Sequence, residues 1–106
     1  MKLISAYSGQ EMSLEEVLSW VGRGWSNIIV DLISDLEKLG WDGQLCQVKE
    51  KYGGLRFYIG SDTDAINARI SLAETQSMTI CEDCGSPGTT QRCQGWYRTV
   101  CSDHVY

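Results

Sequence analysis

Two short pairs near the C-terminus, Cys81-x-x-Cys84 and Cys101-x-x-His104, carry the residue types best suited to chemistry in this chain. A two-residue spacer lets one tight turn aim both ligands at a single ion. Residues 85–100 are enough for a hairpin that returns the second pair to the first. Three thiolates and one imidazole fill a tetrahedron and leave no position for an activated water. The spacing therefore predicts a structural zinc site at Cys81, Cys84, Cys101 and His104, not a catalytic one. Such a site binds with a free energy of order 10 kcal/mol, which in a small module is folding free energy. Cys93 lies between the pairs and offers an all-cysteine alternative in which it replaces His104. Cys46 reads as a small apolar packing residue.

The rest of the composition narrows the class. Five cysteines are an odd number, and residues 1–8 are too short and too polar for a secretory signal, so a disulfide framework is not expected. No apolar run approaches the roughly 20 residues that cross a bilayer. These features lead to the expectation of a soluble, cytoplasmic protein without a membrane partner. A length of 106 residues with 42% apolar content fits one compact domain over residues 1–106, with residues 78–106 as a zinc-binding subdomain. The net charge of -5 argues against general affinity for a phosphate backbone, although a local basic patch can override it.

Several elements must position the metal pairs. Ser13 and Glu16 have the form of a capping box, followed by Leu14, Val17, Leu18 and Val21 at helical spacing. After the interruption at Gly22-Arg23-Gly24, Trp25, Ile28, Ile29, Leu32, Ile33, Leu36 and Leu39 predict a second helix stopped by Gly40. Trp20, Trp25 and Trp41 read as core residues. Asp31, Asp35 and Glu37 fall on its solvated side. Residues 44–59 predict a hairpin turning at Gly53-Gly54, with Lys51 opposite Arg56 and Lys49 opposite Tyr58. Cys46, Val48, Tyr52, Leu55, Phe57 and Ile59 then share one face, with Glu50 as the exception. Lys49, Lys51, Arg56 and Tyr58 share the other. Ser61-Asp62-Thr63-Asp64 offers N-caps for a third helix marked by Ile66, Ile70 and Ala73 that should cover one face of the hairpin. Gln94–Val100 reads as a strand returning to the metal, with Trp96 and Tyr97 covering the zinc module. The fold class expected is α+β: N-terminal helices, a β-hairpin, a third helix and a C-terminal zinc-ribbon-like module.

The basic face invites a ligand. Like charges across a hairpin are mildly destabilising, and an anion would relieve them: the Arg56 fork would grip a phosphate or carboxylate, Lys49 and Lys51 would add charge, and Tyr58 would donate or stack. The alternative is a solvated face neutralised by Asp62 and Asp64. Catalytic readings find little support. The single histidine is assigned to zinc, which leaves no base for a Ser-His or Cys-His system, and no phosphate-binding loop or deaminase pattern is present. The chain is expected not to be an enzyme.

The run QVKEKYGGLRFY at residues 47–58, then Ala73-Glu74 with Ser77, the CEDCGSPG run at residues 81–88, Gly95-Trp96, Thr99 and the final CSDH resemble a group of small, largely uncharacterised proteins encoded by tailed bacteriophages and prophages. The likeness is strong over about the last sixty residues and looser at Gly24-Trp25. Members of the group often lack a cysteine where Cys93 stands, which supports His104 as the fourth ligand. The resemblance carries no established enzyme activity, and it makes the Lys49-to-Tyr58 hairpin part of a shared signature. It implies a nonenzymatic interaction protein in the bacterial host cytoplasm, binding a host protein or a small phosphorylated ligand. Such a protein would inhibit a defence factor or sequester a nucleotide signal. A nucleic-acid-binding zinc-ribbon regulator is the alternative, with Lys49, Lys51, Arg56, Arg92 and Arg98 on phosphates and Trp96 or Tyr97 stacking on bases. A structural subunit is a further one, and self-association through the tryptophan-bearing helices stays open.

Overall fold

In a computed structural model of the chain, which describes residues 1–105, two helices start by the same device. The Ser13 hydroxyl accepts the Glu16 N–H at 3.0 Å and opens α1 (Leu14–Leu18), and the Thr63 hydroxyl accepts the Ile66 N–H at 3.3 Å and opens α3 (Asp64–Ser77). Each hydroxyl satisfies a donor that a helix start leaves without a partner. α1 is shorter than its apolar spacing predicts: a turn at Arg23–Trp25 follows and leads into α2 (Ser26–Lys38). The α2 stripe of Ile29, Leu32, Ile33 and Leu36 is buried as expected. Gly40, at φ 92°, ends it in a Schellman motif, with its N–H on the Glu37 carbonyl and the Trp41 N–H on the Leu36 carbonyl. Trp25 and Trp41 belong to the core. Trp20 does not, with 42% of its surface exposed.

Two short strands went unforeseen in the sequence. β1 (Leu3–Ser5) and β2 (Glu11–Met12) are too short to show a period of two, and they join β3 (Gln44–Lys51) and β4 (Gly54–Ile59) in a sheet of order β2-β1-β3-β4. β1 runs parallel to β3, and the β1–β2 and β3–β4 pairs are antiparallel.

The β3–β4 register differs from the expected one. The turn residues are Tyr52 and Gly53, at φ 54° and 84°, so Lys49 faces Arg56, Gln47 faces Tyr58 and Lys51 faces Gly54. Two hydrogen bonds hold the turn there: the Gly53 N–H donates to Glu50 Oε2 at 2.7 Å, and the Thr99 hydroxyl donates to the Gly53 carbonyl at 2.6 Å. The grouping into faces survives because each strand moved by one residue. There are two exceptions: Tyr52, now a turn residue, is largely exposed, and Cys46 also leaves the apolar face. A bulge between Leu45 and Gln47 sets Leu45 against Ile59, so Leu45 is buried and Cys46 is not.

Val48, Leu55 and Phe57 pack with Ile29, Leu32 and Leu36 of α2 and Ile66, Ile70 and Ala73 of α3, and Trp41 meets Phe57 edge to face at 5.9 Å. α3 also does something the sequence did not announce. Ser77 Oγ accepts the Leu55 N–H at 2.9 Å and Glu74 Oε2 accepts the Phe57 N–H at 3.1 Å, so α3 satisfies the outer edge of β4. Glu74 and Ser77 are thus joined physically to the GGLRFY strand.

The second sheet is a hairpin of β5 (Thr89–Cys93) and β6 (Trp96–Val100), turning at Gln94 and Gly95, with φ 52° and 86°. The returning strand therefore begins at Trp96, not Gln94. Its Thr99 is fully buried against the Gly53 turn, where a side chain on Gly53 would meet Thr90 Cγ2 at 3.1 Å.

Candidate metal centre

The first pair sits on a turn built by its own backbone. Cys81 donates its N–H to the Ser86 carbonyl at 2.7 Å, and Gly85, at φ 85°, donates to the Cys81 carbonyl at 2.9 Å. The second pair sits at the end of β6, where Cys101 starts a short turn over Ser102–His104 and the His104 N–H bonds the Cys101 carbonyl at 3.1 Å. The Glu82 N–H on the Thr99 carbonyl, at 2.9 Å, ties one pair to the other.

The four side chains converge. Their ligand atoms all lie within 4.8 Å of one another, with Cys84 Sγ 3.6 Å from Cys101 Sγ, Cys81 Sγ 3.7 Å from His104 Nδ1 and Cys101 Sγ 3.2 Å from His104 Nδ1. Tetrahedral bonds of about 2.3 Å to sulfur and about 2.0–2.1 Å to nitrogen set ligand atoms roughly 3.4–3.8 Å apart, so the cluster has the dimensions to hold a metal ion. Cys93 is outside it, buried beside Cys81 and Val100. Ser86 hydrogen bonds, from hydroxyl and backbone, hold the Cys84 thiol down to about 7, whereas burial pushes the Cys101 thiol up.

The turn between Cys81 and Cys84 is locked from outside. Arg98 Nη2 donates to both Asp83 carboxylate oxygens at 2.9 Å, and its Nε stands 3.4 Å from Glu82 Oε1. Burial raises the Glu82 carboxyl above its ordinary value, with the neighbouring Glu50 and Asp83 charges acting in the same direction. From the other side, Gly24 donates its N–H to the Glu82 carbonyl at 2.9 Å, Arg23 Nε reaches the Asp83 carbonyl at 3.1 Å, and Trp25 Nε1 reaches the Ile80 carbonyl at 3.0 Å. A Cβ on Gly24 would overlap the Cys81 carbonyl oxygen and come within 2.7 Å of the Gly85 nitrogen. The Gly22-Arg23-Gly24 segment, an interruption in the helical pattern, is the seat of the metal turn.

The basic residues predicted for binding are brought together on the β3–β4 face opposite the helices. Lys49 and Arg56 are cross-strand partners, Lys49 Nζ lies 6.0 Å from the Tyr58 ring centre, and Lys51 Nζ lies 5.6 Å from that of Tyr52. Among the described residues no carboxylate lies within 4.0 Å of Lys49, Lys51 or Arg56, so Asp62 and Asp64 do not neutralise them. Arg92 and Arg98 are elsewhere, on the β5–β6 hairpin. Trp96 and Tyr97 stand exposed at its tip instead of covering the metal turn. Tyr52, Glu50 and Glu82 come close to them, a grouping hinted at only by Glu50, the one charge on an apolar face.

Comparison with protein-family models, curated proteins and solved structures finds no match to this chain. No helix among the described residues is long and apolar enough to cross a membrane.

Proposed function

We propose that the chain is a nonenzymatic interaction protein stapled by one structural zinc ion at Cys81, Cys84, Cys101 and His104. The convergence of four protein ligands within 4.8 Å carries this reading. With all four positions taken by side chains, the ion has no site for water or substrate, and the single histidine is committed to it. The ion would close a zinc-ribbon-like module of the metal turn, the β5–β6 hairpin and the final turn. Its role is to hold that module against Gly24 and Gly53.

The contact surface in this reading is the β3–β4 face bearing Lys49, Lys51, Arg56 and Tyr58. Two cations directly opposite each other, with no carboxylate within 4.0 Å among the described residues, suit an acidic protein surface or a small phosphorylated ligand. The phage-like resemblance extends this to a host factor: inhibition of a defence protein or sequestration of its nucleotide signal. Native mass spectrometry of gently purified, untagged protein tests both halves. One zinc per chain is expected, and a retained mass of nucleotide size would identify the sequestering form. A folded chain without metal would overturn the zinc assignment. Arg56→Glu should abolish ligand or partner capture while leaving the zinc content unchanged; capture that survives the exchange removes this face from the proposal.

A further inference from the structure

A cleft of about 390 Å³ opens between the tips of the two hairpins, lined by Glu50, Tyr52, Glu82, Trp96, Tyr97 and Arg98. This is the small end of the roughly 300–1,000 Å³ range of ligand sites, suited to a side chain and its immediate neighbours. Its walls are aromatic and unburied: Trp96 is 77% exposed, Tyr52 68% and Tyr97 50%. Both tips are set by left-handed turn residues, Tyr52-Gly53 and Gln94-Gly95, which fix where the rings stand. Cations already stand over two of these rings, Lys51 Nζ 5.6 Å from the centre of Tyr52 and Arg92 Cζ 5.9 Å from that of Tyr97. Trp96 has no such neighbour among the described residues.

The acidic groups of the cleft are incompletely paired. Glu50 Oε2 accepts the Gly53 N–H at 2.7 Å, but no cation lies within 4.0 Å of the Glu50 carboxylate among the described residues. Glu82, whose side chain is 13% exposed, is met by Arg98 Nε and the Thr99 N–H only at 3.4 Å each. Arg98 directs its Nη2 at Asp83, with 2.9 Å to each oxygen. The Glu50 carboxylate, with no cation in reach and beside the Trp96 ring over which none stands among the described residues, favours one further cation in that corner of the cleft.

We infer that the cleft binds an arginine side chain presented by a basic segment of a protein partner. The guanidinium lies flat on the Trp96 indole and donates to Glu50, while the aliphatic stem rests between Tyr52 and Tyr97. This extends the reading of an interaction protein to a second face, of opposite charge preference, and it does not depend on what the Lys49–Arg56 face takes.

The test is an NMR titration of the zinc-loaded, full-length, nitrogen-15-labelled chain with acetyl-Gly-Arg-Arg-Gly-amide. Peptides carrying lysine, glutamate or citrulline at the two central positions serve as controls; citrulline keeps the shape of arginine without its charge. The arginine peptide should shift the Trp96 indole N–H and the Gly53 and Gly95 amides, and the citrulline peptide should bind at least about tenfold more weakly. Glu50→Gln keeps an acceptor for Gly53 and should weaken arginine binding about tenfold, and Trp96→Ala, at an exposed position, roughly threefold. Absence of shifts at millimolar peptide, equal binding of the citrulline peptide, or unchanged affinity in Glu50→Gln would each overturn the proposal. Equal affinity for the lysine peptide would overturn the assignment to arginine. A glutamate peptide that shifts Lys49 and Arg56 amides bears on the other face alone, so failure of one reading is separable from failure of the other.

Discussion

Ser77 illustrates how much one hydroxyl carries here. It is fully buried, accepts the Leu55 N–H at 2.9 Å and donates to the Glu74 carbonyl at 2.6 Å. Ser77→Ala leaves the Leu55 donor buried without a partner, and chemical denaturation should show a loss of about 1–3 kcal/mol. The candidate metal ligands give a sharper contrast. His104→Ala should lower zinc affinity and the zinc content measured after dialysis, because the fourth position of the tetrahedron passes to water. Cys93→Ala should keep one zinc per chain and lose only packing beside Cys81 and Val100. The reverse result would place Cys93 at the metal. Residue chemistry was the most legible level in the sequence: paired spacing alone picks out the four side chains that converge in space. What spacing could not give was the outer lock, since Arg98 on Asp83 joins residues whose proximity exists only after the hairpin has folded.

Among the elements, legibility followed length. α2 repeats its apolar period often enough to be read and ends visibly at Gly40, whereas α3 shows only Ile66, Ile70 and Ala73 on one face and is announced mainly by the cap candidates at residues 61–64, of which Thr63 is the one used. β1 and β2 are shorter than one clear alternation, and their pairing with β3 is a long-range choice. The β3–β4 turn was misplaced because Gly53-Gly54 satisfies the turn rule equally well one residue along. The decision lies with Glu50 and Thr99, which bond Gly53 from outside the dipeptide. The segment leading into α2 supplies a test at this scale. Gly24→Ala inserts a Cβ into the backbone of the metal turn, so its cost should reach or exceed the roughly 1–3 kcal/mol of ordinary overpacking, and zinc affinity should fall with it. Gly40→Ala, at φ 92° with no atom within 4 Å of the added carbon, should cost only the backbone strain of about 1–2 kcal/mol and leave zinc binding intact. Equal effects of the two exchanges on zinc would show that the metal turn does not seat on Gly24.

At the scale of the molecule, the metal turn is the meeting point of parts distant in sequence. Trp25 reaches it through Ile80, and the β3–β4 hairpin reaches the same small sheet through Thr99 and Gly53. Chelation should therefore disturb the Trp25 indole together with the amides of residues 81–104, whereas the Trp41 indole, packed on Phe57, should keep its NMR position. The cysteine thiols must shed their protons to bind metal as thiolates, so zinc affinity should fall as the pH drops; a release curve indifferent to acid would argue against thiolate ligands. The seal that α3 places on β4 reaches further than the stability of one chain. On the outer edge of β4, the Leu55 and Phe57 N–H groups are already taken by Ser77 and Glu74. Along that stretch another copy finds no free donors on which to add a strand, so α3 protects the middle of β4 from edge-to-edge association at high concentration.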